Sequence, residues 1–154
     1  MLGKEIVGKY LLARSREIAP LLERVWDLAQ AWYLEEDEIY QQEALVREKE
    51  VSVPTSQGEK RFPVSVSIAW RAKNVSLRGP DFDITVPKGR DPRPWVLPQI
   101  RDPRYLVKVM DGIQELVQEL VSELEGLRRE LESDPRIKEA EEAILSRVVL
   151  EEGQ

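Results

Sequence analysis

Eight apolar residues constrain this chain more than anything else in it. Leu106, Met110, Ile113, Val117, Leu120, Leu124, Leu127 and Leu131 follow one another at intervals of 4, 3, 4, 3, 4, 3 and 4. Intervals that alternate between three and four place all of them on one stripe of an α-helix, at the a and d positions of a heptad repeat. At ~1.5 Å per residue such a helix is ~40 Å long. Val107, Val109, Leu116 and Val121 widen the stripe near its start, whereas Glu123, Arg128 and Glu130 flank it near its end. The first half is therefore expected to be buried in a domain and the second half to form a narrower, coiled-coil-like seam. Leu120, Leu124, Leu127 and Leu131 are the residues expected in a seam with a second copy or a protein partner, because the stripe outruns the helices that a small core can offer.

The rest of the chain reads against that helix. Ile6, Val7, Tyr10, Leu11 and Ile18 recur at helical spacing, and beyond Pro20 so do Leu21, Leu22, Val25, Trp26 and Leu28. Pro20 is expected either to kink one helix or to open a second. Ile39, Tyr40, Ala44 and Leu45 extend the helical pattern to about residue 47. The period then falls from ~3.6 to 2. Val51 and Val53 alternate with Ser52; Phe62, Val64, Val66, Ile68 and Trp70 alternate with Ser65, Ser67, Ala69 and Arg71. Two further alternating stretches carry Val75 and Leu77, then Phe82, Ile84 and Val86, with turn residues between them. Four short strands in this arrangement predict an antiparallel meander with one buried and one wet face. Residues 88–102 hold Pro92, Pro94 and Pro98 and read as a proline-rich connector. Asp102–Pro103 and Asp134–Pro135 each pair an N-cap residue with a proline suited to the first helical position. The predicted fold class is α+β: N-terminal helices, a four-stranded antiparallel meander, a long C-terminal heptad helix and a short terminal helix. It is read as one domain over 1–154, with 1–47 helical, 48–87 the meander, 88–102 the connector and 103–150 helical.

Two absences limit the chemistry. The chain has no His and no Cys, which removes imidazole acid–base catalysis, thiol nucleophiles, disulfides and Cys- or His-ligated metals. Glu35–Glu38 lacks the glycine and alternating oxygens of a calcium loop. Asp81 and Asp83 lack the further acid and lysine of a metal-dependent nuclease site. No catalytic constellation, metal or cofactor is expected, and an enzyme is the least expected class.

The net charge of −6 conceals a division. Residues 1–50 carry net −4, residues 51–110 net +6 and residues 111–154 net −8. The basic middle third supplies the candidate residues for nucleic acid or another acidic partner: Arg71, Lys73 and Arg78 in the meander, and Lys88, Arg90, Arg93, Arg101 and Arg104 in and beyond the connector. Trp95 and Tyr105 are possible stacking groups. The plainer account is an ordinary solvated sheet whose cations pair with the acidic helices of the same chain or of a partner.

Trp70–Arg71 followed by Val75–Ser76–Leu77–Arg78–Gly79 resembles a strand pair of the phage Mu Gam family of DNA-end-binding proteins, which also join a long helix to a small sheet. The resemblance is confined to that strand pair. The heptad helix after the sheet and the proline-rich connector depart from the family's pattern, so no function is carried over. Charged residues make up 34%, with ten Pro and two Met, a profile that fits a thermophile. No stretch approaches the ~18 apolar residues of a membrane span, and the first residues hold Glu5 in place of an apolar leader. A cytoplasmic protein without a membrane partner is expected. The expected function is a non-catalytic structural or protein-interaction subunit, assembling through its long helix as a homo-oligomer or with a protein partner. The alternative is a nucleic-acid-associated protein that holds the phosphate backbone through the basic sheet and connector.

Overall fold

The structure, a computed structural model, describes residues 3–30, 44–69, 72–96 and 103–152. Helix α1 (Lys4–Gln30) precedes five strands, β1 (Ala44–Thr55), β2 (Gly58–Ala69), β3 (Asn74–Gly79), β4 (Phe82–Pro87) and β5 (Arg93–Val96). A 3-10 turn, Pro103–Tyr105, runs into α2 (Leu106–Glu132), and α3 (Pro135–Glu152) follows. The strands lie side by side in chain order and every pair is antiparallel. The fold is α+β, and among the described residues no helix is long and apolar enough to cross a membrane.

The alternation read from the sequence sets the layers. Val64, Val66, Ile68, Val75, Leu77, Phe82, Ile84 and Val86 are all buried on one sheet face. Helix α2 crosses β1, β2 and β3 on that face, and α1 lies beside it over β4 and β5. Arg14 of α1 meets Asp111 of α2, and Arg24 meets Glu125. Both contacts advance in the same direction along both helices, so α1 and α2 run parallel.

Arg14 is the most enclosed of these cations, its side chain 13% exposed. Burial works against its charge, but hydrogen bonds to Asp111 Oδ1 at 2.7 Å and to the Tyr10 hydroxyl at 3.1 Å raise its pKa overall. Side-chain packing beneath it uses Val7, Leu11, Ile18, Leu22 and Val25. Ser15 is also fully buried there and is satisfied locally, its Oγ donating to the Leu11 carbonyl at 2.6 Å.

Of the two courses expected at Pro20, the continuing helix is the one found: α1 runs through it, and residues 31–43 of the expected helical region lie outside the described residues. Pro20 is exposed, so the Arg16 carbonyl that loses its helical partner lies on the solvent side. Two expectations change in the sheet.

The sheet has five strands instead of four, because Arg93–Val96 of the expected connector pairs with β4. Pro94 is tolerated because β5 is an edge strand, where a missing N–H breaks no inner ladder.

Strand β1 starts at Ala44, within the stretch expected to be helical to about residue 47. Its register puts Leu45, Arg47, Lys49, Val51 and Val53 on the helix-covered face, opposite Ile68, Val66, Val64, Phe62 and Lys60. Two cations at inward positions conceal the alternation in the sequence. They are accommodated because α2 offers carboxylates over the sheet edge: Arg47 pairs with Glu123 at 2.6 Å, and Lys49 pairs with Glu115 at 2.5 Å and Glu119 at 3.7 Å. The hydrogen bond to Glu115 raises the Lys49 pKa above its ordinary value. Each pair is partly exposed, and contributes about 0.2–1 kcal/mol.

The Asp134–Pro135 cap forms as expected. Asp134 Oδ1 accepts the Arg136 backbone N–H at 2.9 Å, and the Arg136 guanidinium lies 3.1 Å from Oδ2. Those bonds hold the Asp134 carboxyl below the usual carboxylate range. Pro103 opens the turn before α2, while Asp102, its expected cap, lies outside the described residues.

Candidate functional site

The sheet face away from the helices is small and polar. Cross-strand register aligns Val46, Ser67, Ser76, Thr85 and Arg93 in one row, and Glu48, Ser65, Arg78, Asp83 and Trp95 in the next. Arg78 Nε donates to Asp83 Oδ2 across the β3–β4 pair at 3.1 Å. Glu48 and Glu50 lie at the β1 side of the face, whereas Arg93 and Trp95 lie on β5. Where β2 continues past the end of β3, Glu48, Glu50, Pro63, Ser65, Arg78 and Pro80 line an open groove of about 510 Å³. Cations and carboxylates are interspersed here, so the sheet face is not the uniformly basic surface that the middle third suggests.

The candidate cations separate. Antiparallel order puts the β2–β3 and β4–β5 turns at one end of the sheet, where the Lys88 backbone N–H donates to the Lys73 carbonyl at 2.8 Å. Lys73, Lys88 and Arg90 therefore share that end. Lys88 is also engaged with α1, its Nζ 5.7 Å from the centre of the Trp26 ring. Arg78 sits mid-face in its pair with Asp83, and Arg93 stands on β5. Arg104 is at the opposite end, beside Tyr105. Arg71 and Arg101 lie outside the described residues.

The two candidate stacking groups divide as well. Trp95 is 57% exposed, but Tyr105 is 4% exposed. The Tyr105 ring stacks on Phe62 with centroids 4.8 Å apart, and its hydroxyl donates to Asp81 Oδ2 at 2.7 Å. Asp81 has a φ of 67° in the turn between β3 and β4. A carboxylate held in this way braces a left-handed turn residue, which gives Tyr105 a structural part and removes it from the stacking candidates.

The expected seam begins inside the chain's own core. Leu120 and Leu124 are 2% and 1% exposed. Leu127 and Leu131 are half-buried against the same core. The large apolar surface lies elsewhere, on α3. Ile144, Leu145, Val148, Val149 and Leu150 are 63%, 61%, 44%, 64% and 67% exposed. Their stretch is exposed, and among the described elements α3 has little contact with α2. The sequence showed Ile137, Ala140, Ile144 and Val148 along one side of this helix, the spacing that a core helix would also have. Exposure separates the two cases, and no sequence pattern reports it.

Compared with known proteins, the chain finds no significant match to any family model, any curated protein or any solved structure. Among the described residues no group of three or more carboxylates is placed to hold a metal ion.

Proposed function

We propose that this protein is a non-catalytic interaction subunit whose docking surface is the C-terminal half of α3. One observation supports the reading above the others. Five large apolar side chains between Ile144 and Leu150 are each 44–67% exposed on a helix that adds little to its own domain. Most helical stability in proteins comes from packing of an apolar face, which this 18-residue helix largely lacks among the described residues, and an exposed apolar surface marks an interaction site. The proposed interaction surface lies further along the chain than the heptad stripe, whose Leu127 and Leu131 pack against the core.

The test is the native size of the protein, pure and in extracts of the cells that make it. The wild-type chain is expected in an assembly larger than a monomer. Leu145→Glu combined with Val149→Glu is expected to release the monomer and to melt like the wild-type chain diluted to monomer, because neither side chain belongs to the core. A wild-type chain of monomer size in both settings sinks the reading.

A second reading, association with single-stranded nucleic acid, has a narrower basis. Trp95 is exposed on β5 with Arg93 on the same outer face, and Lys73, Lys88 and Arg90 gather at one end of the sheet. An exposed indole beside cations is what base stacking and phosphate neutralisation require. Fluorescence anisotropy with a labelled oligonucleotide at low salt is expected to show binding that Trp95→Ala weakens by roughly ten-fold or more. No change in anisotropy at high protein concentration ends this reading.

A further inference from the structure

Resting on the reading of α3 as the docking surface, we infer that its occupant is α3 of a second copy, packed antiparallel. The charge pattern of the helix carries the inference. Ile137, Glu141, Ile144, Val148 and Glu151 are spaced 4, 3, 4 and 3 apart and form one stripe, with Leu145 and Val149 widening it. Two copies packed parallel and in register would set Glu141 on Glu141 within the contact and Glu151 on Glu151 at its end, with like charges opposed. Packed antiparallel about Ile144, the same stripe sets Glu141 against Val148 and Ile137 against Glu151, so no carboxylate meets its own copy. The orientation also brings Lys138, near the start of one helix, towards Glu151 at the end of the other, and opposes the two helix dipoles favourably. The helix suits other occupants less well. Its acidic residues outnumber its basic ones, which disfavours an anionic lipid surface or nucleic acid.

The absence of cysteine makes the test clean, since any disulfide must come from an engineered pair. Single Ile144→Cys and Ile137→Cys variants of the full chain, and a mixture of Ile137→Cys with Glu151→Cys, are oxidised mildly and run on non-reducing gels. Sedimentation equilibrium on the unmodified chain gives the dissociation constant. Expected is a monomer–dimer equilibrium, with Ile144→Cys cross-linking to itself, Ile137→Cys failing to do so, and the mixture cross-linking. Ile144→Glu is expected to raise the dissociation constant by at least about tenfold, with a circular dichroism melting curve that matches the wild type at a concentration where both are monomeric as proof of folding.

Efficient self-cross-linking of Ile137→Cys would overturn the antiparallel arrangement. A strict monomer at the highest attainable concentration would overturn the second copy as occupant. In that case the broader reading of α3 stands if the chain is in a larger assembly in its own cell extract and Ile144→Glu abolishes it. It falls if the chain is monomer-sized there too.

Discussion

Leu120→Ala is expected to lower the unfolding free energy by about 2–5 kcal/mol, the range for removing a leucine side chain from a close-packed core. Leu120 is 2% exposed and belongs to the cluster that includes Leu77, Ile84, Met110 and Val117. A chain of this length loses roughly 2–4 °C of thermal midpoint per kcal/mol, so the drop should be on the order of 5–15 °C. A typical domain holds only ~5–15 kcal/mol in total, and the loss is therefore a large fraction. The loss should also be independent of protein concentration, because the packing partners belong to the same chain. Had Leu120 been held by a second copy, dilution would shrink the effect by mass action, because both forms would become monomers. Leu145→Ala supplies the contrast. At 61% exposure it should stay within about 0.5 kcal/mol in the monomer. Chemical denaturation of both variants at two concentrations checks the pair. A Leu120→Ala effect that shrinks on dilution would place the seam between chains after all.

The contrast between Leu120 and Leu145 also shows what a sequence can disclose here. Strands β2, β3 and β4 were legible because one face packs under helices and the other meets water, which forces strict alternation. Strand β1 was not, because Arg47 and Lys49 occupy inward positions and owe their tolerance to Glu115, Glu119 and Glu123, which lie far along the chain on α2. Strand β5 was hidden by Pro92 and Pro94, which read as connector until β4 supplies an edge to pair with. The heptad stripe gave the position and apolar side of α2 faithfully. It could not say what covers that side, and in the structure α1 and the sheet cover most of it. The same ambiguity applied in reverse to α3. Its apolar residues have the spacing of a core helix, but within one chain little packs over them. Candidate cations suffered the corresponding loss. Net charge over a third of the chain ignores Asp83 beside Arg78 and Trp26 beneath Lys88, contacts that only the fold creates.

Gly112→Ala tests the closest approach of helix to sheet, and its sign is expected to depend on a residue of β1. Gly112 is buried in α2, facing Val51. A methyl group added there would fall well inside van der Waals contact of Val51 Cγ2, with Val51 Cβ and Val64 Cγ2 each at 3.8 Å. Val51 is β-branched and stiff at χ1, so relief requires the strand or the helix to shift. Overpacking of this kind costs roughly 1–3 kcal/mol. Working the other way, alanine is favoured over glycine in a helix interior by about 1 kcal/mol. In the wild-type background the clash should win, and Gly112→Ala should destabilise by about 1–2 kcal/mol. Val51→Ala removes the clashing methyl and leaves the helix preference unopposed. In that background the same Gly112→Ala change should become stabilising, by up to about 1 kcal/mol. The double-mutant cycle from urea unfolding measures the coupling directly. A coupling near zero would mean that α2 does not lie against β1 at this point, and the ion pairs from Arg47 and Lys49 to the same helix would lose their geometric basis with it.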